Sequence, residues 1–285
     1  MLKTNPIYNR DLARIFSTSV LKDLAIQGES PVLNAVRKRI FASNPYLSNL
    51  SLLELYDNVY QYLCKEYRIE YVYKNMILQQ ILIKRHNVDE STMITEFRAG
   101  NSIVDALILN STSTAYEIKT EYDNLNRLDE QVKSYQKLFD EIYIVTYPGL
   151  IAPIIEKVPD SVGLIVLNNE NKLITSRNAG SNKSNIDSVE FLYSLRQNEY
   201  LQIAHEILEC DLDSQDYNIF NFVKKIFLST DPERIHDLAV EILKKRTDPY
   251  LKEVILGIPD PIKLSFWESK LPRKHKKSLK TQFEG

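Results

Sequence analysis

The apolar positions of this chain change period twice. Up to about residue 70 they recur at helical spacing. Leu12, Ile15 and Phe16 alternate with charges over Asn9 to Leu24. Val32, Leu33, Val36 and Ile40 follow a Ser30-Pro31 start. Leu52, Leu55, Val59, Tyr62 and Leu63 follow Ser51 and Glu54. Proline at a first helical position and the Ser-x-x-Glu spacing are both helix-start signals. Tyr73 to Arg85 is apolar on more than one side, with Ile77, Leu78, Ile81, Leu82 and Ile83, so it predicts a helix sunk in a core. From Glu96 the period drops to two, which predicts strands. Gly100-Asn101, between two alternating runs, signals a two-residue hairpin loop, and Asn110-Ser111-Thr112 reads as a three-residue loop. The result is a three-stranded antiparallel meander ending near Lys119.

The period then returns to the helical one. Leu128, Gln131, Tyr135 and Leu138 share one face of a helix that Asp123 or Asn126 can cap and that ends near Phe139. Glu141 to Thr146 predicts a strand, Leu150 to Lys157 a short helix, and Val162 to Leu167 another strand. Asn168 to Asn171 turns into a last strand, Lys172 to Thr175. Strands with helices between them make an α/β core with a mixed sheet flanked by helices. RNAGSNKSN, residues 177–185, is the clearest loop, and the chain is helical again from Ser188. The expected organisation is a helical region over 1–70, a core over 71–176, and a helical region with a basic tail over 186–285.

The two loops fix a register, and the register gathers charge. Ala99 then faces Ser102, and Glu96 faces Asp105. Across the second loop Leu109 faces Ser113, and Asp105 faces Glu117. Directly opposed residues project to the same side of a sheet, so Glu96, Asp105 and Glu117 stand in one row. Lys119, two residues past Glu117, shares that face. Opposed like charges destabilise a sheet, and carboxylates among Ile103, Val104, Leu107 and Ile108 need a counterion. Hard oxygen ligands of this kind suit Mg²⁺ or Mn²⁺. The structural alternative is a solvated polar face, which a slip of one residue would produce. Repulsion within the row implies that Asp105→Asn raises the stability of the metal-free protein by about 1 kcal/mol.

Asp105 followed by Glu117-Ile118-Lys119 resembles the signature of the PD-(D/E)XK nuclease superfamily, with Val104 where the usual proline stands. Gln131 and Tyr135 resemble the Q-x-x-x-Y helix motif of its RecB-like members. The stretch from Tyr73 to Thr146 looks like a largely uncharacterised group of bacterial and phage proteins with that core. The resemblance implies a restriction-endonuclease-like fold and a Mg²⁺- or Mn²⁺-dependent nuclease, acting on DNA ahead of RNA. It implies that Asp105 and Glu117 hold the metal with the Ile118 carbonyl, and that Glu96 completes or flanks the site. Lys119 would orient water or stabilise charge on the phosphate, and Gln131 and Tyr135 would support it. The helix from Tyr73 to Arg85 offers no acid between Lys74 and Arg85, which leaves Asn75 as its polar candidate. Two alternatives stay open on the same fold. One is a catalytically silent module that binds nucleic acid or protein; the other is a component of a bacterial or phage defence system switched on by a partner.

Composition narrows the partners. The net charge of −2 gives no global basic field, so nucleic acid would be held by local patches. One such patch is the tail, where Arg273, Lys274, Lys276 and Lys277 follow Phe266 and Trp267. It reads equally as a phosphate contact and as a solubilising, poorly ordered terminus. The short cluster Arg37-Lys38-Arg39 reads as a solvated helix face ahead of a phosphate contact. Cys64 and Cys210 are far apart in helix-like sequence and read as buried thiols, not a disulfide. His205 and His236 are isolated and read as structural. No run is apolar enough to span a membrane and the first residues lack a signal-peptide core, so the expectation is a cytoplasmic protein with no membrane partner. A protein partner or homo-oligomer remains open.

Overall fold

The computed structural model describes residues 2, 4–45, 49–210, 212, 214 and 216–284. The chain forms two compact units, Met1–Ile83 with Pro249–Gly285, and Lys84–Asp248. Helices over residues 186–248, expected to belong with the tail, pack instead with the sheet. Phe191, Ile203, Val223 and Leu243 share one apolar cluster with Phe97, Leu107 and Ile144.

The first unit opens with α1 (Asn9–Arg14) and α2 (Thr18–Gln27). One helix was expected here. The chain breaks because the Ser17 side chain accepts the Val20 N–H and starts a new helix. Next come α3 (Pro31–Ser43) and α4 (Leu52–Glu66), the latter opened by the expected Ser51/Glu54 capping box. Then α5 (Glu70–Ile77) runs into a π-helical stretch over Leu78–Ile83. Asn75 is fully buried and fully used. Its amide donates to the Tyr60 hydroxyl and the Asp260 carbonyl, both at 2.9 Å, and its oxygen accepts the Leu264 N–H at 3.0 Å. Those bonds are a structural role.

The second unit is built on a six-stranded mixed sheet in the order β1-β2-β3-β4-β5-β6. β1 (Thr92–Ala99), β2 (Ser102–Leu109) and β3 (Ser113–Lys119) form the antiparallel meander. α6 (Leu128–Gln136) crosses over to β4 (Glu141–Thr146), which pairs parallel with β3. α7 (Ile151–Ile155) leads to β5 (Gly163–Leu167), parallel to β4, and β6 (Leu173–Arg177) closes the sheet antiparallel. Both hairpin loops are where the turn residues put them: Ala99 pairs with Ser102 and Leu109 with Ser113. Gly100 takes φ +59°, the left-handed first position that a Gly-x loop requires. Gly163 is also obligatory, because a Cβ there would lie 2.3 Å from the Tyr143 ring. α8 (Ser188–Ser194), α9 (Gln197–Leu208), α10 (Ile219–Ser229) and α11 (Pro232–Lys244) complete this unit.

The first unit is finished by α12 (Pro249–Val254), α13 (Lys263–Glu268) and α14 (Arg273–Glu284). The basic tail is therefore a helix. Lys276, Leu279 and Phe283 fall on its packed face, and Phe283 meets the Tyr56 ring edge-on at 5.1 Å. Lys276 is 2% exposed, so of the four expected phosphate contacts only Arg273, Lys274 and Lys277 face solvent. Arg273 is already paired with Glu253 at 3.3 Å and lies over the Tyr250 ring. Both cysteines are free thiols; Cys64 is buried as expected, whereas Cys210 lies just past the end of α9 and is exposed. Among the described residues no helix is long and apolar enough to cross a membrane.

A carboxylate, lysine and glutamine cluster at a fork in the sheet

The ladder between β2 and β3 runs from Leu109–Ser113 to Ala106–Tyr116 and stops there, although both strands continue. At the next position Asp105 takes over. Its Oδ2 accepts the Ile118 N–H at 2.6 Å, in place of a main-chain carbonyl. In an antiparallel ladder a residue's N–H and C=O point to the same side, so the Ile118 carbonyl lies on this edge too. The pairing on both sides keeps the expected register, with Asp105 between Glu96 on β1 and Glu117 on β3.

Glu96 departs from regular strand geometry. Its φ is +52°, left-handed for a non-glycine residue, and it drops out of the β1–β2 pairing between Thr95 and Phe97. Such a conformation costs of the order of 1–3 kcal/mol and persists only where the surroundings impose it. A carboxylate oxygen of Glu96 comes within 4.8 Å of one of Asp105.

Glu117 is 2% exposed and held on both oxygens. Oε1 accepts from Lys119 Nζ and from Gln131 Nε2, each at 2.6 Å, and Oε2 accepts from the Tyr135 hydroxyl at 2.6 Å. Lys119 Nζ also donates to Gln131 Oε1 at 2.9 Å, which closes a ring of three side chains. The Tyr135 hydroxyl lies 2.8 Å from the Ile103 carbonyl as well, so one hydrogen serves two acceptors. Burial, and then the Glu117 charge, push the Tyr135 hydroxyl far above its ordinary range, which keeps that hydrogen in place. The helical spacing of Gln131 and Tyr135 thus delivers both onto Glu117 from α6. All six residues expected at the site lie around this fork, with Glu117 and Lys119 buried and Glu96 exposed. Asp123 does not cap α6. Its carboxylate accepts the Thr120 N–H and hydroxyl and closes the turn after β3.

Sequence reasoning missed two supports. Asp140, at the foot of β4, accepts the Thr112 and Ser181 hydroxyls and the Asn182 N–H. Burial pushes its carboxyl up, but those three donors outweigh it and hold it below the usual range. The other support is His236 on α11, fully buried, with Nε2 2.8 Å from Ser113 Oγ and Nδ1 2.9 Å from Asp237 Oδ1. Serine, histidine and aspartate in that order imitate a hydrolase triad. Ser113 is buried, however, and its Oγ also accepts the Asp140 N–H at 3.1 Å, so no substrate reaches it. Isolated residues more than a hundred positions apart gave no signal for this contact.

His236 carries a pH prediction. Burial, together with the Lys183 charge, outweighs Asp237 and Asp140 and lowers its pKa below the ordinary 6.5. The folded protein therefore holds a neutral imidazole that the unfolded chain protonates below that value. Stability is retained above pH 6.5 and falls as pH drops from 6.5 towards the depressed folded value. Wild type should lose more urea resistance than His236→Gln between neutral pH and the acid side of that window. Equal losses would mean that the imidazole does not titrate in this way.

Residues 64–255, more than half of the chain, match the sequence profile of the family described as bacteriophage P4 protein cII. That span contains the whole fork. Protein cII of Enterobacteria phage P4 is 30% identical over 95 residues, which is 33% of this chain and 36% of that protein. The chain thus spans about a third of the length of this relative. Among solved structures, the SPO1766 protein of unknown function from Silicibacter pomeroyi is 18% identical over 37% of this chain and 69% of its own, with a TM-score of 0.29. On the extent of the profile match, the chain belongs to the bacteriophage P4 protein cII family.

Proposed function

We propose that this protein is a metal-dependent nuclease on a restriction-endonuclease-like core, hydrolysing phosphodiester bonds in DNA ahead of RNA. The observation that carries the reading is the closed ring of Glu117, Lys119 and Gln131 beside Asp105, where the β2–β3 ladder ends. Charged side chains gathered at one opening of a sheet are a local exception to the apolar pattern around them, and such exceptions are expected at functional sites. The donor set fits a hard divalent cation. Glu96 and Asp105 bring carboxylate oxygens within 4.8 Å of each other, and the Ile118 carbonyl lies on the same edge. Asp105, Glu96, Glu117 and that carbonyl would hold Mg²⁺ or Mn²⁺, which supplies Lewis-acid polarisation of a phosphate and a more acidic bound water.

The chain's own groups have separate tasks. Lys119 uses two of its three N–H groups on Glu117 and Gln131, and the third is available to a phosphate oxygen. Its positive charge is fixed in place before substrate arrives, so no reorganisation is needed as negative charge builds on phosphorus. Gln131 holds the lysine and the glutamate at once, which sets the direction of both. Tyr135 stays protonated and fastens the far oxygen of Glu117.

The test is cleavage of linear, nicked and supercoiled DNA, and of RNA, by purified protein with Mg²⁺ or Mn²⁺. Lys119→Ala should lower the rate by about 10²–10³-fold, the usual effect of removing one preorganised charge stabiliser. A wild type inert on all four substrates overturns the enzyme reading. One observation favours a second reading: both oxygens of Glu117 already have protein donors, as in a silent binding module. A rise in melting temperature with Mn²⁺ that disappears in Asp105→Ala separates the two, since a module without a metal site shows no such rise.

A further inference from the structure

The outward face of α10 carries no acid. Its buried residues are Ile219, Val223, Ile226 and Phe227, and its sequence IFNFVKKIFLS holds two lysines and no aspartate or glutamate. At 100° per residue the solvent-facing arc holds Asn221, Phe222, Lys225, Leu228 and Ser229, with Lys224 at its border. Phe222 is 46% and Leu228 65% exposed. A solvated helix face usually mixes both signs of charge; this one pairs lysines with exposed apolar surface in a chain whose net charge is −2.

Tyr193 on α8 stands beside that face and is 56% exposed. The Phe220 ring lies 5.7 Å from it at 38°. Lys224 Nζ lies 5.5 Å from its centroid and donates to its hydroxyl at 3.2 Å. The phenol is thus braced by a ring and an ammonium, and most of its surface is left to solvent. We propose that α8 and α10 form a platform for single-stranded nucleic acid, with a base stacked on Tyr193 and phosphates held by Lys224 and Lys225. An exposed, braced aromatic ring beside lysines matches the alternation of flat bases and phosphates along an unpaired strand. A duplex hides its base faces and cannot use the ring. The proposal deepens the nuclease reading and rests on it for the choice of nucleic acid over other polyanions.

Binding is read by fluorescence anisotropy with a labelled oligothymidylate and with a labelled duplex of the same length. EDTA is present, so that no cleavage intervenes. The single strand should bind more tightly than the duplex. Tyr193→Ala should weaken it about tenfold or more, while Tyr193→Phe should not. Lys225→Gln should reduce the slope of log K against log salt by about 0.7, the counterion release of one single-strand phosphate contact. Tyr193→Ala and Lys225→Gln proteins with wild-type circular dichroism and wild-type affinity would overturn the proposal, as would duplex bound as tightly as single strand. Cleavage in Mn²⁺ with unaltered binding by Tyr193→Ala would remove the platform and leave the nuclease. Strand binding that depends on Tyr193 in a protein that never cleaves would do the reverse.

Discussion

Arg246→Met is expected to destabilise the unit around the sheet by about 3–5 kcal/mol, the usual result of leaving one member of a buried ion pair behind. Glu199, in the first turn of α9, is buried. Arg246, just past α11, donates Nε to its Oε1 and Nη2 to its Oε2, both at 2.7 Å. This two-pronged geometry is the strongest an ion pair adopts. Burial pushes the Glu199 carboxyl up, but the Arg246 hydrogen bonds, the Arg196 N–H and the two arginine charges outweigh it and hold it below the usual range. The same guanidinium lies 5.2 Å from the centre of the Phe97 ring on β1, next to Glu96. One side chain therefore ties α9 and α11 to the strand that opens the site. Denaturant unfolding at neutral pH measures the loss, and adding Glu199→Gln to Arg246→Met should restore much of it by removing the stranded charge. Because the carboxyl is depressed in the folded state, its contribution is present above the ordinary 4.5 and disappears as pH falls through the folded value. The gap between wild type and Arg246→Met should narrow in acid. A single variant within about 0.5 kcal/mol of wild type would mean that the pair behaves as a surface contact.

The meander was legible because its loops are short and their residues few in kind. Gly100-Asn101 and Asn110 to Thr112 admit one register each, and that register alone aligns Asp105 between Glu96 and Glu117. The helical spacing of Gln131 and Tyr135 was equally readable, since both had to meet the sheet on one face of α6. The left-handed φ of Glu96 was not, because backbone strain leaves no mark in a residue's identity. Contacts spanning tens of residues were also hidden. Glu199 with Arg246 and Ser113 with His236 are ordinary surface-type residues until the helices pack. Lys276 failed for a related reason: a run of basic residues looks uniform until the helical period turns one of them inward beside Leu279. The unit boundaries follow the same rule, since residues 249–285 rejoin the first unit from the far end of the chain.

Asp105→Asn and Asp105→Ala are expected to abolish cleavage alike while moving the stability of the metal-free protein in opposite directions. On the proposed mechanism both would remove a charged oxygen ligand, and loss of several kcal/mol of metal-dependent charge stabilisation would lower the rate by at least about 10³-fold. Stability separates them because Asp105 is also a strand-edge acceptor. Its Oδ2 takes the Ile118 N–H at 2.6 Å where the β2–β3 ladder has ended. Asparagine presents an amide oxygen at the same place, so the bond to the Ile118 N–H survives while the charge is lost. The like charge relieved is that of Glu96, within 4.8 Å, because Glu117 is already compensated by Lys119 at 2.6 Å. A gain of about 1 kcal/mol is the expected result for the asparagine variant. Alanine leaves the Ile118 N–H without its acceptor at a buried strand, which costs about 1–3 kcal/mol. Denaturant unfolding of the three proteins in EDTA, beside Mn²⁺ titration and cleavage of linear DNA, reads every part of this. If asparagine destabilises as much as alanine, Asp105 is a structural anion and the row is not held under repulsion. If the asparagine variant still binds Mn²⁺ as wild type does, the metal is not held at this fork. A more stable but inactive asparagine variant would mark the fork as a place where stability has been given up for chemistry.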